Sequence, residues 1–315
     1  MSSEQTPASG QLAGIALITF AVLLLSLSDA LVKLTGAHYS LGQLILMRSL
    51  GAGLLLCLWA WARGRRLGAA RPFWVTLRSL CLVAMWFFYY AALPEIPLAL
   101  AAACFYTAPL WMALLSRVVL GEPLGLRRSA AVVVGAVGVF LAVNPAAAMP
   151  SPYVVLPLLA AFCYALSGII TWSRCRAEQP VAMAFNLNVS LVCAGGGLLV
   201  VLSLLDMGAA DSFIFGLWPQ LGVADWAVLG VLAAFLMIIT VSVAGAYRMA
   251  PAPVIGLFDN AYLVFAAVWG VAFFGQIPSP VEMAGMGLIL AAAVTAARAP
   301  RARVDSPLPS RIAAK

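Results

Sequence analysis

The sequence predicts an all-α polytopic membrane protein of about ten transmembrane helices, arranged as two inverted five-helix repeats. Three observations lead there. Of the 315 residues, 64% are hydrophobic and only 9% charged, against roughly a quarter charged in an ordinary soluble domain. Apolar runs of about 18 to 25 residues recur along almost the whole chain, each long enough to cross a hydrocarbon core of ~30 Å as a helix. The two halves of the chain also overlay on one another.

The runs divide into spans at residues 11–35, 41–62, 73–93, 97–119, 129–147, 153–172, 181–205, 225–247, 251–273 and 280–298. The first follows "MSSEQTPASG", which holds no Lys or Arg, so it does not have the pattern of a removable signal peptide. The longest polar stretches are the loop "DMGAADSFIFGLWPQLGVAD" and the tail after Ala299, so no soluble domain is expected. An even number of spans puts both termini on one side. Connections on that side carry Arg63, Arg65, Arg66, Arg71, Arg127, Arg128, Arg174, Arg176 and Arg248, and the tail adds Arg301, Arg303 and Arg311. The opposite connections carry Glu95, Asp206, Asp211 and Asp225. By the positive-inside rule both termini are expected in the cytoplasm.

The net charge of +7 thus reports topology. A nucleic-acid partner is not expected; a small-molecule substrate and membrane lipid are. The six cysteines Cys57, Cys81, Cys104, Cys163, Cys175 and Cys193 lie in spans or on the basic side and read as small apolar packing residues. There is no CxxC and His38 is the only histidine, so neither a metal nor another cofactor is expected.

Shifting the chain by 154 residues places "LPEIPLALAAACFYTAPLWMALLSRVVLGEP" on "YRMAPAPVIGLFDNAYLVFAAVWGVAFFGQI", with Ala92 on Ala246, Pro97 on Pro251 and Gly121 on Gly275. A shift of 138 places "HYSLGQLILMRSL" on "RAEQPVAMAFNLN". Five spans per half is an odd number, so the second copy enters the membrane from the opposite face. Two such copies supply two nearly equivalent conformations, one open to each face, with a site between them near the midplane.

The chain resembles the EamA-type family of the drug/metabolite transporter superfamily, ten-helix carriers built of two five-helix repeats. The matching residues are "SDALVKL" in the first span with Arg48 in the second, "LPEIPLALAAACFYTAPLW" leading to "VVLGEP", and "VVVGAVGVFLAV". The second half matches more weakly through "MAPAPVIGLFDNAYLVFAAVWGVAFFGQ" and "EMAGMGLILAAAV". The resemblance implies repeats at residues 11–147 and 153–298 followed by a basic cytoplasmic tail, 299–315. It implies secondary transport, with export of an amino-acid-like, zwitterionic or anionic metabolite first and import of a vitamin or nucleoside-like metabolite as the alternative. Gln276 departs from the pattern, standing where the first half has Glu122.

An ionisable residue within a span costs a few kcal/mol unless it is paired, wet or snorkelling, so each needs an account. Asp29 and Arg48 both fall ~8 to 10 Å from the acidic end of their spans, and Lys33 is one turn beyond Asp29. Two readings are open: a structural ion pair with Lys33 snorkelling, or a cavity-facing cluster that binds substrate or exchanges a proton. Asp259 and Asn260 lie ~12 Å from the basic end of the ninth span, with no cation at that depth nearby in sequence. Asp259 is either a functional acid or the partner of Arg248 or Arg78. The 154 shift sets Phe105 and Tyr106 against this pair. The 138 shift sets Asn186 against Arg48, and interhelical glue accounts for Asn186 and Asn188 as well as ligand contact does.

Aromatics cluster at Trp86, Tyr89 and Tyr90 in the third span and again at Phe105, Tyr106, Trp111, Phe258 and Tyr262; the deeper Trp86 and Tyr106 either line a pocket for an organic molecule or pack or face lipid. The candidates for binding or coupling are therefore Asp29, Lys33, Arg48, Trp86, Tyr90, Tyr106, Asn186, Asp259, Asn260 and Tyr262. Trp59, Trp61, Trp74, Trp172 and Trp226 near span ends read as interface belt. Pro94, Pro97, Pro109, Pro251 and Pro253 are expected to kink the fourth and ninth spans. The glycines of "GAVGVF" and "GMGLIL" are expected to permit close packing or a homodimer face. No catalytic constellation is visible, so an enzyme is not expected. A channel would show a ring of filter residues. The absence of "GxxxxGK[ST]" excludes ATP as the direct energy source in this chain.

Overall fold

The computed structural model describes residues 8–36, 38–64, 67–120, 126–143, 151–175, 177–206, 212–249 and 258–298. The basic tail, the start of the ninth span with Pro251 and Pro253, and Gly121 with Glu122 lie outside the described residues. Among the described residues the regular elements are helical: α1 (Ala8–Thr35), α2 (Leu41–Ala62), α3 (Pro72–Ala92), α4 (Leu98–Phe105), α5 (Ala108–Leu120), α6 (Leu126–Val143), α7 (Val155–Arg174), α8 (Pro180–Leu204), α9 (Val223–Met249), α10 (Ala261–Phe274) and α11 (Pro280–Arg298). Seven stretches have the length and apolarity to cross a membrane, α4 and α5 together counting as one. Three shorter apolar helices, within α6, α10 and α11, complete ten spans.

Local chemistry sets the boundaries. Ser40 caps α2 by accepting from the Gln43 amide, and Pro72 and Pro180 open α3 and α8 at positions where a missing N–H costs nothing. Gly275 ends α10 in the left-handed region at φ 62°, where a side chain would be strained. The fourth span breaks at Tyr106 and Thr107 because Pro109 cannot continue the hydrogen-bond ladder of α4. The ninth breaks at Asn260, between helical residues 258 and 259 and the start of α10. Residues 106 and 260 are 154 apart, so the two breaks occupy equivalent positions in the two halves.

The packing follows the same exchange. If α1 is exchanged with α7, α2 with α8, α3 with α9, α4–α5 with α10 and α6 with α11, the most extensive helix pairings map onto one another. The α3–α7 pair becomes α9–α1, the α2–α9 pair becomes α8–α3, and the packing of α4 and α5 on α7 becomes that of α10 on α1. The pairs α2–α8, α4–α10 and α6–α11 are their own images and mark the pseudo-axis. The halves therefore interleave.

Lipid offers no hydrophobic drive for helix association, so these pairs depend on close backbone approach. A Cβ on Gly138 of α6 would stand 2.9 Å from the Gly285 carbonyl and from the Ile289 amide of α11. The "GAVGVF" and "GMGLIL" glycines thus meet one another inside the chain. Trp61 (84% exposed) and Trp226 (53%) lie at helix ends as a belt requires. Gly138→Leu is expected to separate α6 from α11 and destabilise the fold by about 1–3 kcal/mol. A lowered thermal midpoint in detergent checks this, with Gly287→Leu, where a Cβ meets nothing within 4 Å, as the neutral comparison.

Candidate functional site

Four helices bring polar groups to one buried point. The Asp29 side chain projects from α1, Arg48 from α2, Tyr89 and Tyr90 from the end of α3 and Tyr262 from the start of α10. Asp29 and Arg48 are each 2% exposed. No ion pair within 4.0 Å joins them. Tyr262 donates its hydroxyl to Asp29 Oδ2 at 2.5 Å. Its one proton is then committed, so Tyr89, 2.8 Å away, donates to the Tyr262 oxygen. Arg48 Nη1 donates to the Tyr90 hydroxyl, and Tyr90 in turn interacts with Asp29. Tyrosine hydroxyls thus stand between the carboxylate and the guanidinium.

Rings surround the charges. The Arg48 guanidinium lies over Trp86 at 4.6 Å and over Tyr90 at 5.0 Å. Tyr262 stacks on Tyr106 at 5.5 Å, Tyr89 packs on Phe105 at 5.3 Å, and Phe105 packs on Tyr164 of α7 at 5.5 Å. Tyr106 donates to the Asp259 carbonyl across the two helix breaks at 3.0 Å. Asp29 Oδ1 and Arg48 Nε are buried without a hydrogen-bond partner. An acceptor and a donor left unpaired among aromatic rings are the kind of groups that fix the orientation of an organic molecule in a pocket.

The two ends of the seam differ. At the acidic end Lys33 is turned away from Asp29: its Nζ donates to the Leu93 carbonyl and, at 2.6 Å, to that of Ile96, with the Phe274 ring 5.4 Å away. The expected Asp29–Lys33–Arg48 cluster is thus corrected, because the turn between α3 and α4 offers Lys33 carbonyls left open at the C-terminus of α3. The Leu98 amide donates to Gln276 Oε1 at 3.3 Å, Ser40 to the Leu217 carbonyl at 2.9 Å, Gln43 to that of Pro219 at 3.0 Å and Tyr39 to that of Asp225 at 3.0 Å. Burial and the nearby Asp225 charge push the Tyr39 hydroxyl up to about 12, so this donor keeps its proton through the physiological range. Toward the basic end, Tyr164 is 41% exposed although it sits halfway along α7. Side-chain hydrogen bonds to facing turns thus tie the helices together at the acidic end of the seam.

The remaining candidates fall elsewhere. Asn186 donates to Thr76 Oγ1 at 3.2 Å, away from Arg48. Asp259 is half-buried and forms no ion pair with Arg78, whose Nε donates instead to Thr171 Oγ1 at 3.0 Å. The Arg248 side chain lies outside the described residues, and Asn260 forms the turn that breaks the ninth span. Tyr89 and Tyr164 were not among the expected site residues; no spacing rule marks an aromatic in an apolar helix as facing inward.

Tyr262→Phe removes the donor to Asp29 and is expected to cost about 1–3 kcal/mol. The readout is the thermal midpoint in detergent, and Tyr262→Phe with Asp29→Asn together should lose less than the sum of the two.

Comparison with known proteins places this geometry. Residues 12–144 match the sequence model of the EamA-like transporter family. A riboflavin transporter of Rhizobium johnstonii is 29% identical over 205 residues, 65% of this chain and 63% of that protein. The chain therefore matches somewhat less than two thirds of that relative's length. A riboflavin transporter of Brucella anthropi is 26% identical over 203 residues, 64% of this chain and 68% of that protein. A crystal structure with no function in its description matches 92% of this chain and 96% of its own at 20% identity and TM-score 0.59, a likeness of fold alone. The first half of this multi-pass membrane protein is thus similar to the EamA-like transporter family, and the relatives that the chain resembles are transporters.

Proposed function

We propose that the chain is a secondary carrier that moves a small organic metabolite with a flat aromatic ring across a bacterial inner membrane by alternating access. The observation that carries this reading is the seam between the interleaved halves. There Trp86, Tyr106 and Tyr262 offer ring faces beside the unpartnered Asp29 Oδ1 and Arg48 Nε. Packed ring pairs contribute about 0.5–1.5 kcal/mol each beyond buried area. A ring system bearing hydrogen-bonding groups, as in the riboflavin that names the relatives, fits such a lining. With the basic connections cytoplasmic, the hydrogen bonds that tie the acidic end together favour a state closed toward the outside. Asp259, close to Tyr106 and Tyr164, is the candidate for proton coupling.

A second reading keeps the carrier and changes the cargo. Asp29 Oδ1 and Arg48 Nε are complementary to the ammonium and carboxylate of an amino acid, which favours export of an amino-acid-like zwitterion.

Counterflow in proteoliposomes separates these readings. Vesicles loaded with unlabelled riboflavin should take up labelled riboflavin with saturable kinetics, and Asp29→Asn should lower the initial rate at least tenfold. Trp86→Ala should raise the half-saturating concentration about tenfold, which corresponds to 1.4 kcal/mol. Counterflow of amino acids without riboflavin establishes the second reading, and flux that does not saturate overturns the carrier. Under an imposed pH gradient, Asp259→Asn is expected to keep counterflow and lose accumulation. Retained accumulation would remove Asp259 from coupling.

A further inference from the structure

The halves overlay in sequence, yet their charges do not. By the 138 shift Asp29 falls on Ser167, Lys33 on Thr171 and Arg48 on Asn186. The second half therefore has neutral groups at all three positions. A cation nevertheless stands at the equivalent place, supplied from α3 of the first half. Arg78 reaches α7, where its Nε donates to Thr171 Oγ1 at 3.0 Å. Thr171 gives its own proton to the Ser167 carbonyl at 2.7 Å, so its hydroxyl oxygen is left as an acceptor and holds the guanidinium in one orientation. Arg78 Nη1 is buried without a hydrogen-bond partner. Among the described residues no carboxylate lies within ion-pair distance of it. Such a group in a span is costly unless something answers it.

Its setting is defined by α7. Thr171, Ser167 and Tyr164 follow one another at intervals of four and three residues, one face of a helix. Arg78 is electrostatically coupled to Tyr164, whose ring packs on Phe105. Six residues into α3, Arg78 lies ~9 Å from its basic end. Arg48, fourteen residues from the basic end of α2, lies ~21 Å from that end, so Arg78 is the nearer of the two guanidinium groups to the basic side.

We propose that Arg78, held by Thr171, is a second binding station on the basic side of the pathway, which receives the oxyanion end, carboxylate or phosphate, of a ring-bearing substrate while the ring lies on Tyr164 and Phe105. A planar guanidinium with a free edge suits an oxyanion through charge-assisted hydrogen bonds. The station rests on the carrier reading given above and adds to it a charge requirement that Asp29 and Arg48 do not impose.

The test compares riboflavin with riboflavin 5′-phosphate by equilibrium dialysis against the purified full chain in a maltoside detergent at low salt. Wild type is expected to bind the phosphate ester at least tenfold more tightly than the alcohol. Arg78→Gln should abolish that preference while leaving the affinity for riboflavin within twofold, and Thr171→Val should reduce the preference partly. A preference that survives Arg78→Gln, or no preference in wild type, overturns the station. If added anionic lipid removes the preference at equimolar amounts, the site belongs to a lipid headgroup and the substrate assignment falls. If wild type binds neither flavin, the flavin reading of the cargo fails. Phenyl phosphate and phenol then replace the flavins, with thermal stabilisation by phenyl phosphate alone, lost in Arg78→Gln, as the expected result. Its absence in wild type overturns the station.

Discussion

A carboxylate and a guanidinium inside a membrane protein are the constraint around which the rest of this molecule is arranged. Each costs several kcal/mol to remove from water, even after relaxation. Asp29 and Arg48 do not meet that cost by pairing. Tyr262 and Tyr90 stand against them with hydroxyl groups, Tyr89 supports Tyr262, and Trp86 covers the guanidinium face. A direct ion pair would leave little for a ligand to bind. The tyrosines satisfy part of each charge and leave Asp29 Oδ1 and Arg48 Nε open.

Those side chains converge only because the halves interleave. α3 packs on α7 and α8, α1 on α9 and α10, so every wall of the seam is made by one helix from each half. The glycine contacts between α6 and α11 fix one end of the pseudo-axis, and the two helix breaks, at 106 and 260, lie on opposite sides of it. Broken helices expose backbone carbonyls where a straight helix would bury them, and Tyr106 uses that of Asp259. On the carrier reading proposed above, two packings of the interleaved halves, one open to each face, would alternate.

The symmetry is structural and the chemistry is not. At the acidic end Lys33, Gln276, Ser40, Gln43 and Tyr39 tie helices to carbonyls and amides of facing turns. At the basic end the equivalents of Asp29, Lys33 and Arg48 are Ser167, Thr171 and Asn186, and Arg78 supplies the cation. The two ends of the seam therefore differ in their charged side chains.

The sequence by itself determined the spans, the side on which the basic connections lie, the duplication and the family resemblance, because hydrophobic length, arginine placement and self-overlap are properties of residues in order. It also marked Asp29, Arg48, Trp86, Tyr106 and Tyr262 as candidates, since charges and clustered rings are conspicuous in an apolar chain. Only the tertiary structure decided which of them meet. Lys33 is one turn from Asp29 along the helix, yet it belongs to the α3–α4 turn, because unpaired carbonyls there bind an ammonium better than a carboxylate already held by tyrosine. Asn186, aligned with Arg48 by the repeat, bonds Thr76 because the two halves face opposite ends of the membrane. Tyr89 and Tyr164 became visible only as neighbours. Which face of an apolar helix looks inward is set by packing against helices more than a hundred residues away, and no local pattern records it.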